Sequence, residues 1–339
     1  MTDALTKMLS ERDWVMADGA TGTNLFNMGL SSGDAPELWN ADEPQNIKKL
    51  YSLAVDAGSD LFLTNTFGGN ASRLKLHNAE SRVRELNRLG AALGREVADA
   101  SGRTVIVAGS VGPTGEIMAP MGSLTHELAV EMFHEQAEGL KEGGADVLWL
   151  ETISAPEEYK AAAEAFALAG MPWCGTMSFD TAGRTMMGVT SASMVDMVEA
   201  LPNPPIAFGA NCGVGASDLM RTVLGFIASG TERPVIAKGN AGIPKYVDGH
   251  IHYDGTPELM GAYACLARDA GARIIGGCCG TMPEHLKAMR AALENTPKGP
   301  RPTLEDIAVK LGGFSSASDG TGDQSDAPAR SRRSSRRRT

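Results

Sequence analysis

Aromatic residues, cysteine and long apolar runs are all scarce in this sequence. Aromatics make up 5% of its 339 residues, so few side chains are available for a stacking surface or a cation cage. No apolar run reaches the ~18–20 residues of a membrane-spanning helix. The N-terminal stretch MTDALTKMLSERDW lacks the ~7–15-residue apolar core of a secretory signal. These absences lead to the expectation of a cytoplasmic chain with no membrane partner. The five cysteines, Cys174, Cys212, Cys265, Cys278 and Cys279, are too few and too odd in number for a disulfide framework. In a reducing compartment they read as buried thiols, catalytic groups or metal ligands. A nucleotide-binding fingerprint is also missing: Asp18-Gly19-Ala20-Thr21-Gly22-Thr23 has neither the GxGxxG nor the GxxxxGK[ST] spacing.

The net charge of −10 combines two unlike parts. From Ser315 onward the chain reads SSASDGTGDQSDAPARSRRSSRRRT. Its six arginines against three aspartates make it net positive, so the body before it is more acidic than the total. An acidic body argues against nucleic acid as a partner. The tail has no large apolar residue with which to offset its ordering entropy, which predicts a disordered segment over 314–339 and a folded domain over 1–313.

Within residues 13–293, short β-branched apolar runs alternate with longer stretches of helical period. The runs Trp14–Ala17, Asp60–Thr64, Thr104–Ala108, Asp146–Leu150, Pro172–Met177, Ile206–Ala210, Pro234–Lys238 and Arg273–Gly276 predict eight strands. Helices are predicted between them, for example over Asn46–Ala57, Thr125–Gly143 and Pro257–Ala270, with Thr125, Ser193 and Ser217 as N-caps. Gly58, Gly144 and Gly271 fall where a left-handed helix C-cap turns into the next strand. Eight βα units in this length match an α/β fold of the (β/α)₈ TIM-barrel type.

Barrel enzymes carry their chemistry at the C-terminal ends of the strands. Two of these ends bear cysteine: Asn211-Cys212-Gly213, and Gly276-Gly277-Cys278-Cys279-Gly280-Thr281. Adjacent cysteines do not readily pair with each other, and the flanking glycines let both sulfurs turn toward one point. Strands 6 and 8 of a closed barrel lie about 10 Å apart, so three thiolates can converge on one ion. A three-cysteine zinc site with an open fourth position is catalytic in type. The competing reading is three small buried hydrophobes. Cys174 and Cys265, without glycine flanks, read as buried thiols, and His250-x-His252 as polar residues of a loop or hairpin over 245–254.

The motifs Asp18-Gly19-Ala20-Thr21-Gly22-Thr23, Asn65-Thr66-Phe67-Gly68-Gly69, Gly112-Pro113-Thr114-Gly115-Glu116, Glu151-Thr152, Asn211-Cys212, Gly239-Asn240-Ala241-Gly242 and Gly276-Gly277-Cys278-Cys279-Gly280-Thr281 run in one order along the chain. Together they resemble the homocysteine S-methyltransferase family, which includes betaine–homocysteine methyltransferase and the homocysteine-binding module of cobalamin-dependent methionine synthase. The resemblance implies that Cys212, Cys278 and Cys279 hold Zn²⁺ and that homocysteine is methylated to methionine. It implies Asp18 and Glu151 as partners of the substrate ammonium and the Gly19-Ala20 amides as partners of its carboxylate.

A thiolate demethylates only an activated donor: a quaternary ammonium, a sulfonium or methyl-cobalt. Trp39, in Glu37-Leu38-Trp39-Asn40, resembles an early-loop tryptophan of members that use small cationic donors, and Trp173, Tyr246 and Tyr253 are the other candidate aromatics. Glycine betaine is the first expectation. An alternative is a homocysteine-activating subunit that works with a separate corrinoid protein. From other classes, a zinc hydrolase is disfavoured because three thiolates make zinc a weak Lewis acid for water, and a non-catalytic zinc-binding scaffold rests on the tail alone. The oligomeric state is left open.

Overall fold

A computed structural model describes residues 3–320 except 243, 248 and 249, and the backbone alone of 244–247 and 250–252. Eight parallel strands form the predicted barrel: β1 (Val15–Met16), β2 (Leu61–Leu63), β3 (Ile106–Val111), β4 (Val147–Ile153), β5 (Trp173–Met177), β6 (Ala207–Cys212), β7 (Val235–Gly239) and β10 (Ala272–Gly277). A short antiparallel hairpin, β8 (Pro244–Val247) with β9 (His250–Tyr253), is inserted after β7. The sheet runs β1-β10-β7-β6-β5-β4-β3-β2. Its seam, between β1 and β2, is stitched mainly by two aspartates. At the lower end Asp60 donates its N–H to Met16 O (2.7 Å), and its Oδ2 accepts from Met16 N (2.9 Å). At the upper end Asp18 Oδ2 accepts from Leu63 N (2.8 Å).

Side chains alternate across each strand, and the barrel interior is apolar in its lower layers. Leu61, Leu63, Ile106, Ala108, Val147, Trp149, Cys174 and Ile236 form one buried cluster there. The helix Ala4–Glu11 plugs the lower mouth, inserting Leu5, Met8 and Leu9 into the same cluster. Asp3 caps it, accepting from Thr6 N. Cys174 is fully buried, as expected.

The outer helices follow the sequence pattern, with two corrections at their starts. Thr125 caps its helix as predicted. The cap expected at Ser193 is Thr190, with Ser193 three positions on completing a reciprocal capping box. The cap expected at Ser217 is Gly215, and the Ser217 hydroxyl donates instead to Gly312 O (2.8 Å). Gly58, Gly144 and Gly271 have the positive φ that the turns into β2, β4 and β10 require.

The lower end of the seam also carries an ion cluster. Arg12, Arg103 and Arg290 surround the buried Asp60 carboxylate, with Arg12 at 2.7 Å and Arg290 at 3.1 Å. The first residues of the segment expected to be disordered are seated on the barrel. Buried Arg221 donates to Ser316 O (2.9 Å) and Ser318 O and stacks its guanidinium 3.9 Å from the Phe314 ring centroid. Asp218 accepts from Ser315 N (3.0 Å). The physical reason is that the partners are backbone carbonyls, which a low-complexity composition does not remove. Residues 321–339 lie outside the described residues.

Candidate metal and substrate site

The upper interior layer is polar. Continuing the alternation two residues past the apolar layer reaches Ser110 from Ala108, Glu151 from Trp149, Thr176 from Cys174 and Lys238 from Ile236. Above this layer opens a cavity of about 390 Å³, lined by Glu151, Lys238, Cys212, Cys278 and Cys279 among others. That volume lies within the range of small-molecule sites.

The three cysteine sulfurs converge as predicted. Their Sγ atoms all lie within 4.8 Å of one another, with Cys212 and Cys279 3.7 Å apart. Two asparagines fix them. Asn240 accepts from Cys279 N (3.1 Å) and donates to Gly213 O (2.8 Å), so one carboxamide ties the β6 turn to the β10 turn. Asn211 accepts from Thr152 N (2.9 Å) and Thr176 Oγ1 (2.7 Å), and its amino group faces Thr152 Oγ1 (2.8 Å) and Cys278 Sγ (3.7 Å). Cys212 adopts φ 62°, a left-handed conformation uncommon for a side chain with a Cβ. Gly280 has φ +77°, and a Cβ there would meet the Tyr253 ring at 2.3 Å, so this close approach requires glycine.

Hydrogen bonds among the crowded sulfurs push the Cys212 thiol up and draw Cys279 below the ordinary thiol range, Tyr253 adding a further hydrogen bond to Cys279. Three thiolates so close repel one another unless a cation neutralises them, and a soft, three-sulfur donor set suits zinc. The residues present therefore fit the expected metal.

Glu151 accepts from the Ser110 hydroxyl, and burial pushes its carboxyl up to about 8. Asp18 is ion-paired with Lys238, and burial, only partly offset by Lys238, raises its carboxyl pKa. Lys238 is itself buried. Desolvation opposes its charge, but Asp18 and Glu151 outweigh that and raise its pKa. Sequence reasoning took Lys238 as the last residue of a strand; the inward register from Ile236 was the signal that could have found it.

The remaining expected site residues divide. Gly19 and Glu151 line the cavity. Asp18 and Ala20 do not: they border a narrow crevice behind it with Leu50, Tyr51 and Phe62, and the Ala20 N–H is engaged by Thr281 O at 3.0 Å. Trp39 is half-buried against the outer hydrophobic core and is not among the cavity's lining residues. Its neighbour Glu37 is, with its carboxylate accepting from Gly68 N (2.6 Å) and its pKa raised by burial. Of the other candidate aromatics, Trp173 packs in the core against Tyr159 and Phe166, whereas Tyr253 reaches Cys279. The side chains of Tyr246, His250 and His252 lie outside the described residues. Phe67, which sequence reasoning used only as part of a motif, lines the cavity.

With this geometry in place, the chain can be set beside known proteins. The family model described as homocysteine S-methyltransferase matches residues 15–293. The chain belongs to the homocysteine S-methyltransferase family. It is 32% identical over 321 residues to methionine synthase of Mycobacterium tuberculosis and 30% identical over 317 residues to that of Mycobacterium leprae. These matches cover 90% and 89% of this chain but 26% of each relative, so the chain spans about a quarter of the length of the curated relatives it matches. Among solved structures, the homocysteine methyltransferase MmuM of Escherichia coli, in oxidised and metallated forms, shares the fold with a TM-score of 0.71 at 24% identity. Those alignments cover 86% and 85% of this chain and 99% of MmuM.

Proposed function

We propose that this chain is a zinc-dependent homocysteine S-methyltransferase that forms methionine, with a small onium compound, glycine betaine first, as methyl donor. The observation that carries this reading is the convergence of Cys212, Cys278 and Cys279 at a cavity that also contains Glu151 and Lys238. Cys212, Cys278 and Cys279 would hold the metal, consistent with the metallated form known for MmuM. Zinc bound there would lower the pKa of the homocysteine thiol so that thiolate is available at neutral pH.

The chain's own residues do the rest. Asn211 and Asn240 hold the three sulfurs in register. The polar floor, Lys238 and Glu151 with Asp18 behind them, receives the amino-acid end of homocysteine. Burial on this floor strengthens each charge contact relative to water. The outer part of the cavity, with Phe67 and the buried carboxylate of Glu37, receives the donor. Support for a cationic donor thus moves from Trp39 to these two residues.

One observation favours a second donor. Leu76, Ile117, Met121, Met186 and Met187 are exposed large apolar side chains on the loops that follow β2, β3 and β5, the same end of the barrel as the cavity. An apolar rim there suits docking of a methyl-carrying corrinoid protein, and the relatives are methionine synthases. The test is incubation of zinc-loaded protein with homocysteine and, separately, glycine betaine, dimethylsulfoniopropionate, S-methylmethionine or a methylated corrinoid protein, scored for methionine. Methionine from a small onium compound supports the first reading. Methionine from the corrinoid protein alone replaces it with the second.

A further inference from the structure

Lys238 has no part in the family reading, yet it occupies the middle of the site. Its side chain is 2% exposed, and its ammonium is ion-paired with Asp18, the carboxylate expected to take the substrate's own ammonium. Burying a lysine in a barrel is costly unless the charge is used. Asp18 lies behind it, bordering the crevice and not the cavity, whereas Lys238 and Glu151 both face the cavity. An ammonium has three N–H donors. The bonds described for Lys238 go to the Asp18 carboxylate and, at 3.5 Å, to the Asp18 carbonyl, which leaves one N–H on a residue that lines the cavity.

The substrate's carboxylate has meanwhile lost one of its expected partners, because Thr281 O engages the Ala20 N–H. A cation beside a carboxylate is the pattern that a zwitterionic amino-acid end requires: Glu151 for the ammonium, and a positive group for the carboxylate. We infer that Lys238 is the residue that receives the α-carboxylate of the thiol substrate, with Asp18 a positioning residue that holds Lys238 in place. This inference rests on the homocysteine reading above and revises the role of Asp18 within it. It makes the site selective for α-amino acids over simple amino-thiols.

The test compares L-homocysteine with 3-aminopropane-1-thiol, the same molecule without its carboxylate, by calorimetry on zinc-loaded protein. Wild type should prefer homocysteine by about 10- to 100-fold, the range of a charge-assisted hydrogen bond. Lys238→Met alone leaves Asp18 buried and unpaired, so the variant of choice is Asp18→Asn/Lys238→Met. The Asp18→Asn change keeps an acceptor for Leu63 N and leaves no unpaired charge. In the double variant the preference should fall to within about 3-fold, zinc content staying stoichiometric, and Lys238→Arg in place of Lys238→Met should restore part of it. The ratio cancels effects that weaken both thiols alike, such as a change at Glu151. A double variant that keeps the wild-type ratio, or a wild type with no preference, overturns the inference while leaving the homocysteine reading intact. A wild type that binds neither thiol when zinc-loaded overturns the homocysteine reading itself, and the inference with it.

Discussion

Asp60 and Asp18 perform the same structural task at opposite ends of the β1–β2 seam, each supplying a carboxylate to a backbone N–H across it. Their surroundings differ. Below, Asp60 is surrounded by three partly exposed arginines, two of them also tied to main-chain carbonyls: Arg103 to Val55 O and Ser59 O, and Arg290 to Gly58 O. Above, Asp18 has one lysine, and that lysine faces a cavity shared with Glu151 and three thiols. The lower cluster also borders a hollow, lined by Arg12, Asp60, Arg103 and Arg290, but no cysteine lines it. The upper cavity joins the lysine to Glu151 and three thiols, the set of groups that the proposed homocysteine site requires. On the proposed reading the lower cluster serves stability and the upper one binding.

The comparison breaks most sharply at the sulfurs. Cys278→Ala/Cys279→Ala should lose stoichiometric metal, read by elemental analysis, and methionine formation should fall by at least ~10³-fold, as for loss of an essential catalytic group. The thermal midpoint should move little, because the sulfurs sit at the barrel mouth and outside its apolar layers. Stoichiometric metal in this variant would show that the cluster is a packing feature.

At the lower end the expectation reverses. Asp60→Ala leaves three arginines without their counter-charge and should cost about 2–4 kcal/mol in urea denaturation. That is less than for a fully buried pair, since the arginines are partly exposed. Methionine formation per folded molecule should stay near wild type. A large loss of turnover without loss of stability would mean that the lower cluster is coupled to the site.

A pH series sharpens the contrast. Methionine, which has no thiol proton to lose, isolates the amino-acid end. Because Glu151 is pushed up to about 8 by burial, it is protonated below that pH, and the ligand ammonium favours its ionised form. Methionine affinity should therefore rise about tenfold per pH unit up to about 8 and level off above. Glu151→Gln should flatten the profile across this window; an unchanged profile would exclude Glu151 as the ammonium partner.

The smallest effect concerns the C-terminal segment. Truncation after Gly313 removes Phe314 and the carbonyls that satisfy Arg221, and should cost about 1–2 kcal/mol. Truncation after Gly320 should leave stability unchanged. Equal stability of both would mean that the Arg221 contacts contribute nothing.

Most of the barrel was legible because buried parallel strands read as short apolar runs between helical periods. Strand positions were predicted within a few residues, and the cysteine cluster was visible because glycine flanks two strand ends. The helix Ala4–Glu11 was not anticipated: its apolar stripe of Leu5, Met8 and Leu9 is short, and its meaning depends on an open barrel end that only the closed sheet supplies. Lys238 was missed because a lone lysine at a strand end reads as solvent-facing. Its burial depends on Asp18, 220 residues away in sequence. Trp39 was expected from its place in an early loop, where a tryptophan serves packing as well as a ligand; the structure packs it on the core, with Glu37 at the cavity. The tail boundary was placed from composition, which does not register that a buried arginine can recruit main-chain carbonyls.

The central claim is that the upper end of the barrel is a metal-dependent homocysteine site. Isothermal titration of the zinc-loaded protein with L-homocysteine, repeated after chelation and in buffers of different ionisation enthalpy, tests it most directly. The account predicts one homocysteine per chain, release of about one proton as the thiol ionises, and loss of binding when the metal is removed. Equal affinity with and without zinc, or binding with no proton release, would contradict it.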